Sequence, residues 1–582
     1  MAPHNYALLW QLDILTPENI NSCQMFLATH QLSIRQTVRA YSTAGVRPKK
    51  RGVFRNSFLA ALGVGLAAYG YDSVLGAGVT NRSVRSLSTL LLISIDYKLN
   101  FEEGNDIEAL HERNAQRLYD LLTTNKGLYI KMGQVIAIQG MMFPQQYQKK
   151  FSQLFDKAPR DDWEVCDRVL RQELGAKYRT EIFETIDESP VASASIAQVH
   201  KARLRTGEEV AVKIQHESVS KQMWLDLATY RFVMKVYEWA FDMPLAATVQ
   251  YVCNKMREEV DFGIEMRNGN LIASLIAKDP EFRKTVYIPK YFPQASSRRV
   301  LTAEWIDADP VGDYLKLKDK GYNIKSLMNT IIKVYSRQVF YWGLVHCDLH
   351  PGNLLVRHLP DKTQQLVILD HGLYEHFGDK FRREYAQFWK YTFELNPEKV
   401  KSVLLEWGIN ADDIMLGLSS MDPGKNEALK KHIQELSKKS YFERQTIIRD
   451  KMREFFKNSD KFPMTLTFIM RSMRIVQGLN RNFGSPCNRV DILATEAAKT
   501  VKLFDLDDDR FQFVLKRFVT YNLFRLVSFV QYHFNKLCQH VASWFRREPV
   551  QDLEEVYEKQ MIEASKGIGF ESVPTTKELL DG

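Results

Sequence analysis

The chain contains the stretch 345-VHCDLHPGNLLV-356, which is followed shortly afterwards by 367-VILDHG-372. In both stretches a polar, acidic turn adjoins an apolar run typical of a β-strand. The first turn carries four side chains that could bind a metal or move a proton: His346, Asp348, His350 and Asn353. The second strand ends at Asp370. Two kinds of site would use these residues: a His/Asp metal centre, or the catalytic and metal-binding loops of a phosphoryl-transfer enzyme.

The spacing His346-x-Asp348-x-x-x-x-Asn353 is that of a phosphotransferase catalytic loop. In such a loop Asp348 would orient or deprotonate an acceptor hydroxyl, while Asn353 and Asp370 would supply oxygen ligands to Mg²⁺. The metal-centre alternative needs His346 and His350 as ligands, and no further His pair with zinc spacing supports it. His350 precedes Pro351-Gly352 and is more simply a residue that shapes the turn.

Upstream, the stretch 197-AQVHKARLRTGEEVAVKIQH-216 alternates polar and apolar residues on both sides of Arg205-Thr206-Gly207-Glu208. This pattern predicts two strands joined by a hairpin turn. The second strand carries Lys213 in the pattern of the strand lysine that neutralises nucleotide phosphates in kinases. A lysine on a strand is common, so Lys213 indicates a kinase only in combination with the other motifs of the chain.

The loop 190-PVASASIAQVH-200 lies where a kinase covers the nucleotide phosphates. A conventional loop of this kind is rich in glycine, whereas this chain has Ala192, Ser193, Ala194 and Ser195. Alanine has less backbone freedom than glycine, so we expect a stiffer loop with a different grip on phosphates.

Two further segments complete the order of parts. The stretch 257-REEVDFGIEMRNGNL-271 predicts a helix whose acidic residues Glu259, Asp261 and Glu265 lie toward one side. The stretch 298-RRVLTAEWIDADP-310 predicts a strand that ends in a hinge, and the hinge backbone would bind adenine. The hinge residues are Glu304, Trp305 and Ile306.

These features occur in the order found in kinases: the strand lysine, the helix carboxylates, the hinge, the Asp/Asn loop and a final aspartate. An ordered set of motifs is far more specific than any single motif. We therefore predict an α+β, bilobal, protein-kinase-like fold with a small β-rich N-lobe and a helical C-lobe. The predicted cofactors are ATP and Mg²⁺.

The segment 125-NKGLYIKMGQ-134, upstream of the first lobe, identifies the kind of kinase-like protein. It resembles the K-x-G-Q signature of the UbiB (aarF-domain) family of atypical kinases, with Lys131, Gly133 and Gln134 at the signature positions. The alanine-rich loop and 259-EVD-261, which resembles the family's E-x-D motif, extend the resemblance over roughly residues 95–480.

The resemblance implies that Lys131 lies on a helical extension over the nucleotide site, near Glu259 and Asp261, and that Glu265 pairs with Lys213. It implies an ATPase or a small-molecule or lipid kinase rather than a typical protein kinase. Asp370-His371-Gly372 replaces the usual D-F-G and matches a mitochondrial subfamily, while the metal ligand Asp370 is kept. Relatives act in coenzyme Q biosynthesis or distribution and in mitochondrial lipid homeostasis, so membrane lipids and coenzyme Q or its precursors are the expected partners.

The N-terminal stretch 25–52 is free of acidic residues and carries Arg35 and Arg39 on one helical face. This composition is typical of a mitochondrial presequence, with cleavage expected after Tyr41, although an ordinary exposed helix has the same periodicity. Residues 1–24 fit a presequence poorly, and we expect translation to start at Met25.

Residues 57–79 form an apolar stretch that only Asp72 interrupts, which predicts a transmembrane helix. A buried core helix is the alternative reading. If the segment spans the inner membrane, the basic residues of 47–55 should stay in the matrix, and the large domain should face the intermembrane space.

The chain has 582 residues, a net charge of +9 and 26% charged residues. The basic excess is partly local, since no Asp or Glu occurs between Glu18 and Asp72, so we expect no nucleic-acid partner. The six cysteines are scattered without a C-x-x-C pair, which predicts no disulfide framework. Residues 511–547 mix aromatic and basic residues, typical either of a membrane-interface helix or of a core-packed one.

Six regions follow from these patterns: a presequence and basic linker (1–56), a transmembrane helix (57–79), a helical extension (80–185), an N-lobe (186–310), a C-lobe (311–505) and a tail (506–582). Two other functions remain open. One is a nucleotide-binding scaffold without turnover, against which the retained catalytic positions argue. The other is a small-molecule kinase of the aminoglycoside-phosphotransferase type, against which the Lys131 signature argues.

Overall fold

The computed structural model describes residues 79–138, 144–154, 160–241, 246–394, 396–409, 438–457 and 461–503, together with residue 435 and single residues between 522 and 541. The expected presequence and nearly all of the expected transmembrane segment lie outside the described residues, as does most of the tail. Within the described ranges, no helix is both long enough and apolar enough to cross a bilayer.

The chain forms two compact units, of which the first contains residues up to Asn125 together with Ser218–Gln250. Its main elements are α1 (Val79–Asn100), α2 (Ile107–Asn125), most of α7 (Glu217–Phe241) and the start of α8 (Ala246–Glu259). Helix α2 buries one apolar face, whose residues recur at helical spacing: Leu110, Ala115, Leu118, Leu121 and Leu122.

The second unit contains Lys126–Glu217 and the residues from Tyr251 onward. It begins with four helices: α3 (Leu128–Ile138), α4 (Gln145–Phe151), α5 (Trp163–Leu174) and α6 (Tyr178–Glu181). Six strands follow in this unit before residue 305: β1 (Phe183–Ile186), β2 (Ala192–Ser193), β3 (Ala197–Leu204), β4 (Glu209–Gln215), β5 (Val286–Tyr287) and β6 (Val300–Glu304). A five-stranded sheet has the order β1-β3-β4-β6, with β2 paired to β3.

The predicted hairpin between β3 and β4 is confirmed, with an antiparallel register that places Val199 opposite Lys213. Gly207 lies in the turn with φ of +102°, a conformation that L-residues rarely adopt. On β4, Val212 is buried against the core while Lys213 points to the other face, as the alternation of a strand requires. The register therefore fixes the side of the sheet that the lysine occupies.

The helix expected over 257–271 is two helices. α8 ends at Glu259, and α9 (Phe262–Lys278) begins after Asp261, whose carboxylate accepts a hydrogen bond from the Gly263 amide at 3.0 Å. Aspartate is among the preferred N-cap residues because it satisfies an otherwise unpaired amide of the first turn. The helical periodicity continues across the break, which explains why the sequence suggested one helix.

The remainder of the second unit is mainly helical, as predicted for a C-lobe. Its helices are α10 (Tyr314–Asp319), α11 (Ile324–Arg337), α12 (Asp379–Phe393), α13 (Pro397–Glu406), α14 (Tyr441–Lys457), α15 (Thr465–Asn482) and α16 (Arg489–Leu503). Its strands are β7 (Asp309–Pro310), β8 (Leu344–His346), β9 (Leu354–His358), β10 (Gln364–Ile368) and β11 (Tyr374–His376).

Two small sheets hold the loops that carry Asp348 and Asp370. One has the order β5-β10-β9-β7, and the other pairs β8 with β11. Tyr374 lies opposite His346 in the second sheet. The strands on both sides of each polar turn are therefore paired to other strands, and the predicted α+β class is confirmed. In the tail, the hydroxyl of Tyr532 donates to the carbonyl of Pro486 at 2.7 Å.

Gly269 on α9 allows Tyr291 to pack directly against the helix, because a Cβ at position 269 would lie 2.4 Å from a carbon of the Tyr291 ring. We expect Gly269→Ala to lower the urea midpoint of unfolding. Overpacking costs about 1–3 kcal/mol, which outweighs the gain of at most about 1 kcal/mol in helix propensity.

The Tyr291→Leu background is the control, since it removes the ring that the new methyl group would meet. There, Gly269→Ala should be neutral or stabilising. An equal loss of stability in both backgrounds would contradict the proposed steric cause.

Candidate functional site

Lys213 lies at the centre of the site. Its Nζ donates to both oxygens of Glu265, at 3.0 and 2.9 Å, and to Oδ2 of Asp370 at 3.1 Å. Glu265 is buried in the first turn of α9, and Asp370 follows β10. Strand, helix and loop thus bring one ammonium group against two carboxylates, and the expected pairing of Lys213 with Glu265 is present.

Burial and mutual charge shift the pKa of all three groups. Burial opposes the charge on Lys213, but Asp370 and Glu265 outweigh it and raise its pKa. Burial likewise opposes the charge on Asp370, yet Lys213 and the Gly372 amide hold its pKa well below its usual range. For Glu265, burial and the nearby Asp370 charge prevail over Lys213 and raise its pKa to about 7. Glu265 is thus the member of the trio that titrates near neutral pH.

His346 fixes the geometry of the loop and is not available to a metal. Its Nδ1 accepts a hydrogen bond from the Asp348 amide at 3.0 Å, so its Nε2 carries the proton and donates to the Asp370 carbonyl at 2.7 Å. His350 accepts from the Gly352 amide at 3.1 Å, which confirms its role in shaping the turn. Across the described ranges, no three or more His, Cys, Asp or Glu side chains are arranged to hold a metal ion. These contacts disfavour the His/Asp metal centre.

Asn353 is held beside Asp370 by the backbone. The Leu369 amide donates to the Asn353 carbonyl at 3.0 Å, and Asn353 Nδ2 donates to the Asp348 carbonyl at 3.1 Å. The second bond uses the nitrogen of the Asn353 side-chain amide. The oxygen of the same amide can therefore act as a ligand. The side-chain oxygens of Asn353 and Asp370 are ligands of the kind that Mg²⁺ prefers.

Asp348 lies between two cations. Oδ1 accepts a hydrogen bond from Nη2 of Arg471 on α15 at 2.8 Å. Burial favours the neutral acid, but Arg471, His350 and Lys131 together lower the pKa of Asp348. Sequence reasoning missed Arg471 because it lies 123 residues after Asp348, within an ordinary amphipathic helix that carries no motif.

Lys131, on α3, forms an ion pair with Glu259 at the end of α8, with 2.5 Å between Nζ and Oε1. Burial disfavours the ammonium, but Glu259 and Asp348 raise the pKa of Lys131. Lys131 therefore lies next to Glu259, as the family resemblance implied. Gly133 is buried in the same helix, and the side chain of Gln134 lies outside the described residues.

Asp261 departs from the expected grouping of carboxylates. It caps α9, and its Oδ2 lies 3.4 Å from Nε of Arg298. Glu259 and Glu265 contact different lysines, so the three acidic residues have three separate partners. The break between α8 and α9 is the physical reason, because it turns the two helix ends in different directions.

The alanine-rich loop is closed by hydrogen bonds to its neighbours. Ala192 and Ser193 form the short strand β2, and the Ala194 amide donates to the Ala197 carbonyl at 2.8 Å. The ring of His216 contacts the Ala194 carbonyl at 3.1 Å, and Ser195 is half-buried. A tight, bonded loop agrees with the expected stiffness; its contact with phosphates stays a prediction.

Two hinge amides are already used within the protein. The Glu304 amide donates to the Lys290 carbonyl at 2.8 Å, and the Trp305 amide donates to the Glu209 carbonyl at 3.0 Å. In the part of the chain that the structure describes, the Ile306 amide makes no such bond. If adenine binds at the hinge as predicted, Ile306 is therefore the better placed donor.

A second buried network, which sequence reasoning also missed, surrounds Glu375 on β11. Its carboxylate accepts from Tyr251 and Thr465, each at 3.0 Å, and lies 2.8 Å from Nζ of Lys255. These partners lie on α8 and at the start of α15. The network thus ties the helix that carries Glu259 to the helix that carries Arg471.

The residues at this site fit Mg-ATP. Asp370 and the amide oxygen of Asn353 are hard oxygen donors, and Lys213 provides positive charge beside Asp370. Two carboxylates and one ammonium leave excess negative charge, which a divalent cation would neutralise.

Comparisons with known proteins identify the family to which the sequence is similar. Residues 153–404 match the family described as the ABC1 atypical kinase-like domain. The chain is 38% identical, over 80% of its length, to an ABC1 family protein of Schizosaccharomyces pombe, 87% of which is covered. It is 31% identical, over 60% of its length, to AarF domain-containing protein kinase 1 of Gallus gallus, 69% of which is covered. A solved complex of a Mycobacterium tuberculosis protein with erythromycin matches at 26% identity and a TM-score of 0.36, covering 52% of this chain and 75% of that one.

The fold and the site define an atypical kinase-like protein. The chain belongs to the ABC1 (aarF-domain) atypical kinase family, so the resemblance seen in the sequence and the kinase-like fold are confirmed.

The pKa of Glu265 predicts a pH dependence of stability. A carboxyl whose folded pKa of about 7 exceeds its ordinary 4.5 binds its proton preferentially in the folded state. This contribution is fully present below pH 4.5 and is lost as the pH rises through 7. Relative to Glu265→Gln, the natural chain should lose about 1–3 kcal/mol of stability between pH 5 and pH 8.

Urea unfolding of both chains at several pH values measures this difference. The exposed Glu184→Gln is the matched control and should run parallel to the natural chain. If Glu265→Gln also runs parallel, Glu265 does not titrate in this range.

The Lys131–Glu259 pair should be strongly coupled. Lys131→Met or Glu259→Gln alone leaves a largely buried charge without its partner and should cost about 2–4 kcal/mol, while the double variant should cost less than the sum. Urea unfolding of the four chains gives the coupling energy.

Lys177 and Glu181 form the matched control, because the same residue types lie 3.9 Å apart at an exposed site. Their coupling should stay below about 0.5 kcal/mol. Equal coupling for the two pairs would show that burial does not strengthen the Lys131–Glu259 pair.

Proposed function

We propose that this protein is an Mg²⁺- and ATP-dependent atypical kinase-like enzyme, an ATPase or a small-molecule or lipid kinase. It acts at the mitochondrial inner membrane in coenzyme Q distribution or biosynthesis and in lipid homeostasis. The observation that carries the catalytic part is the convergence of Lys213, Glu265 and Asp370, with Asn353 tied to the same strand end.

Each residue has a role that follows from its position. Mg-ATP, when bound, supplies the phosphoryl donor. Lys213 provides positive charge for the phosphates, and Glu265 holds the lysine in place. Asp370 and Asn353 supply oxygen ligands for the cation, and Asp348 orients the acceptor hydroxyl or water.

Support for a small or lipid acceptor comes from the surroundings of Asp348. Lys131 from the N-terminal extension and Arg471 from α15 both act on this carboxylate, so two helices outside the catalytic loops lie near the acceptor position. An acceptor carried on a folded protein segment would need that space. The inner-membrane location, with the domain facing the intermembrane space, is supported by the sequence of residues 25–79 and by the family.

A nucleotide-binding scaffold is the second candidate. The observation in its favour is the lowered pKa of Asp348, because a carboxylate stabilised by Arg471 is a weak proton acceptor.

Asp370→Asn should lower Mg²⁺-dependent ATP hydrolysis at least about 100-fold, because it removes a charged metal ligand from the phosphate end of the site. The measurement is phosphate release by the full chain in liposomes with and without a quinone-like lipid. Asp319→Asn, at an exposed position on α10, is the matched control and should keep full activity.

Asp348→Asn separates the two candidates. An enzyme should keep nucleotide binding in this variant and lose hydrolysis. A natural chain that binds Mg-ATP yet hydrolyses none, with or without lipid, is a scaffold. A natural chain that ignores millimolar Mg-ATP contradicts both.

A further inference from the structure

Helix α1 has an apolar outer face. Seven residues between Asn81 and Asn100 are exposed, and all but Ser88 are apolar. The six apolar residues are Val84, Leu87, Leu91, Leu92, Ile95 and Leu99, with exposed fractions from 41% to 67%. At 100° per residue, all seven positions fall within an arc of about 140°. This set is called the α1 face below.

The polar residues of α1 lie on the protein side of the helix. Arg82 is buried and pairs with Asp226 of α7, with 2.6 Å between Nη2 and Oδ2. Asp96 is half-buried and receives the guanidinium of Arg113 from α2 at 2.6 Å. None of the four charged residues in this helix is exposed. Helix α1 therefore reverses the usual arrangement of a surface helix: its charged side chains face neighbouring helices, and its exposed face is apolar.

Helix α2 of the same unit shows the ordinary arrangement. Its large apolar residues are buried, and its exposed positions are mostly charged, among them Glu108, Glu112 and Asp120. The inversion is thus a property of α1 and not of the whole unit. A contiguous exposed apolar face on a folded unit marks a contact surface.

Helix α7 adds aromatic and basic groups to the first unit. Trp224 is 74% exposed and Phe232 is 58% exposed. Arg231 and Lys235 are also exposed, whereas no acidic residue of α7 is exposed among its described side chains. Exposed aromatic residues interleaved with basic ones are typical of a helix at an anionic lipid surface.

We propose that the first unit contacts a lipid bilayer through the α1 face, with the basic residues of α7 meeting anionic headgroups. Three observations favour lipid over a protein partner. The α1 face carries no charge, and its only hydrogen-bonding side chain is that of Ser88. Such a surface can enter the hydrocarbon region of a bilayer without leaving polar groups unpaired. Upstream of α1, residues 57–71 are free of charged residues, and Asp72 is the one charged residue between that stretch and the helix. The exposed charge on α7 complements anionic lipid.

This inference rests on the proposed function only for the membrane setting, and it does not depend on nucleotide chemistry. It assigns the contact to a helix that lies along the interface. At 1.5 Å per residue, the 22 residues of α1 extend over about 33 Å of that surface.

Depth-dependent fluorescence quenching tests the contact in the full chain. Cys23 and Cys538 are replaced by Ser, and the four described cysteines are buried. A single cysteine is placed at Leu91 or Leu99 and labelled with an environment-sensitive fluorophore, and Ala109 on the exposed side of α2 gives the matched control. The protein is reconstituted in phosphatidylcholine–phosphatidylglycerol vesicles that contain a doxyl-labelled lipid.

Probes at Leu91 and Leu99 should be quenched by the doxyl lipid at least about twofold more than the probe at Ala109. Equal, weak quenching at the three positions overturns the proposal. It is also overturned if a photo-crosslinker attached at Leu91 couples mainly to protein in the same vesicles, either to a second copy or to another segment of this chain, instead of to lipid.

The outcome separates this inference from the proposed function. Quenching at Leu91 without any ATP hydrolysis would support the bilayer contact and count against the enzyme. ATP hydrolysis without quenching at Leu91 would support the enzyme and count against the bilayer contact.

Discussion

The ammonium of Lys213 is the point on which the site depends. It directly contacts two carboxylates, Glu265 and Asp370, which come from elements far apart in the chain. Without it, the buried Glu265 and the half-buried Asp370 would repel each other, and one of them would take up a proton. With it, Asp370 stays ionised while Glu265 titrates near neutrality. A divalent cation arriving beside Asp370 would favour the ionised form of Glu265 as well, so cation binding and the Lys213–Glu265 pair should strengthen each other.

The break between α8 and α9 separates two ion pairs that the sequence suggested as one cluster. Glu259 ends the first helix and meets Lys131, whereas Glu265 begins the second and meets Lys213. Asp261 makes the break possible by capping α9. A continuous helix would place positions 259 and 265 roughly 120° apart around a single axis. Two helix ends can instead direct one carboxylate to Lys131 and the other to Lys213.

Sequence reasoning predicted the parts whose chemistry is local. Strand alternation, the Gly207 turn and the loop around Asp348 and Asn353 are set by neighbouring residues, and each is present in the structure. The α8–α9 break was missed because helical periodicity runs through it. Arg471 was missed because its function depends on a tertiary contact across 123 residues, and an arginine on an amphipathic helix has no local signature. The periodicity of apolar residues indicates which side chains are buried, but it does not indicate which charged side chains form ion pairs.

The two cations beside Asp348 bear on how phosphoryl transfer would proceed. Arg471 and Lys131 lower the basicity of this carboxylate, which is a poor property for a residue that must remove a proton early. In a loose transition state the bond to the leaving group is largely broken before the acceptor attacks, so the acceptor needs orientation more than deprotonation. A carboxylate fixed by Arg471 and screened by Lys131 suits that task. Because Arg471 holds this carboxylate in one position, an acceptor hydroxyl or water that hydrogen-bonds to it would be held in one orientation as well.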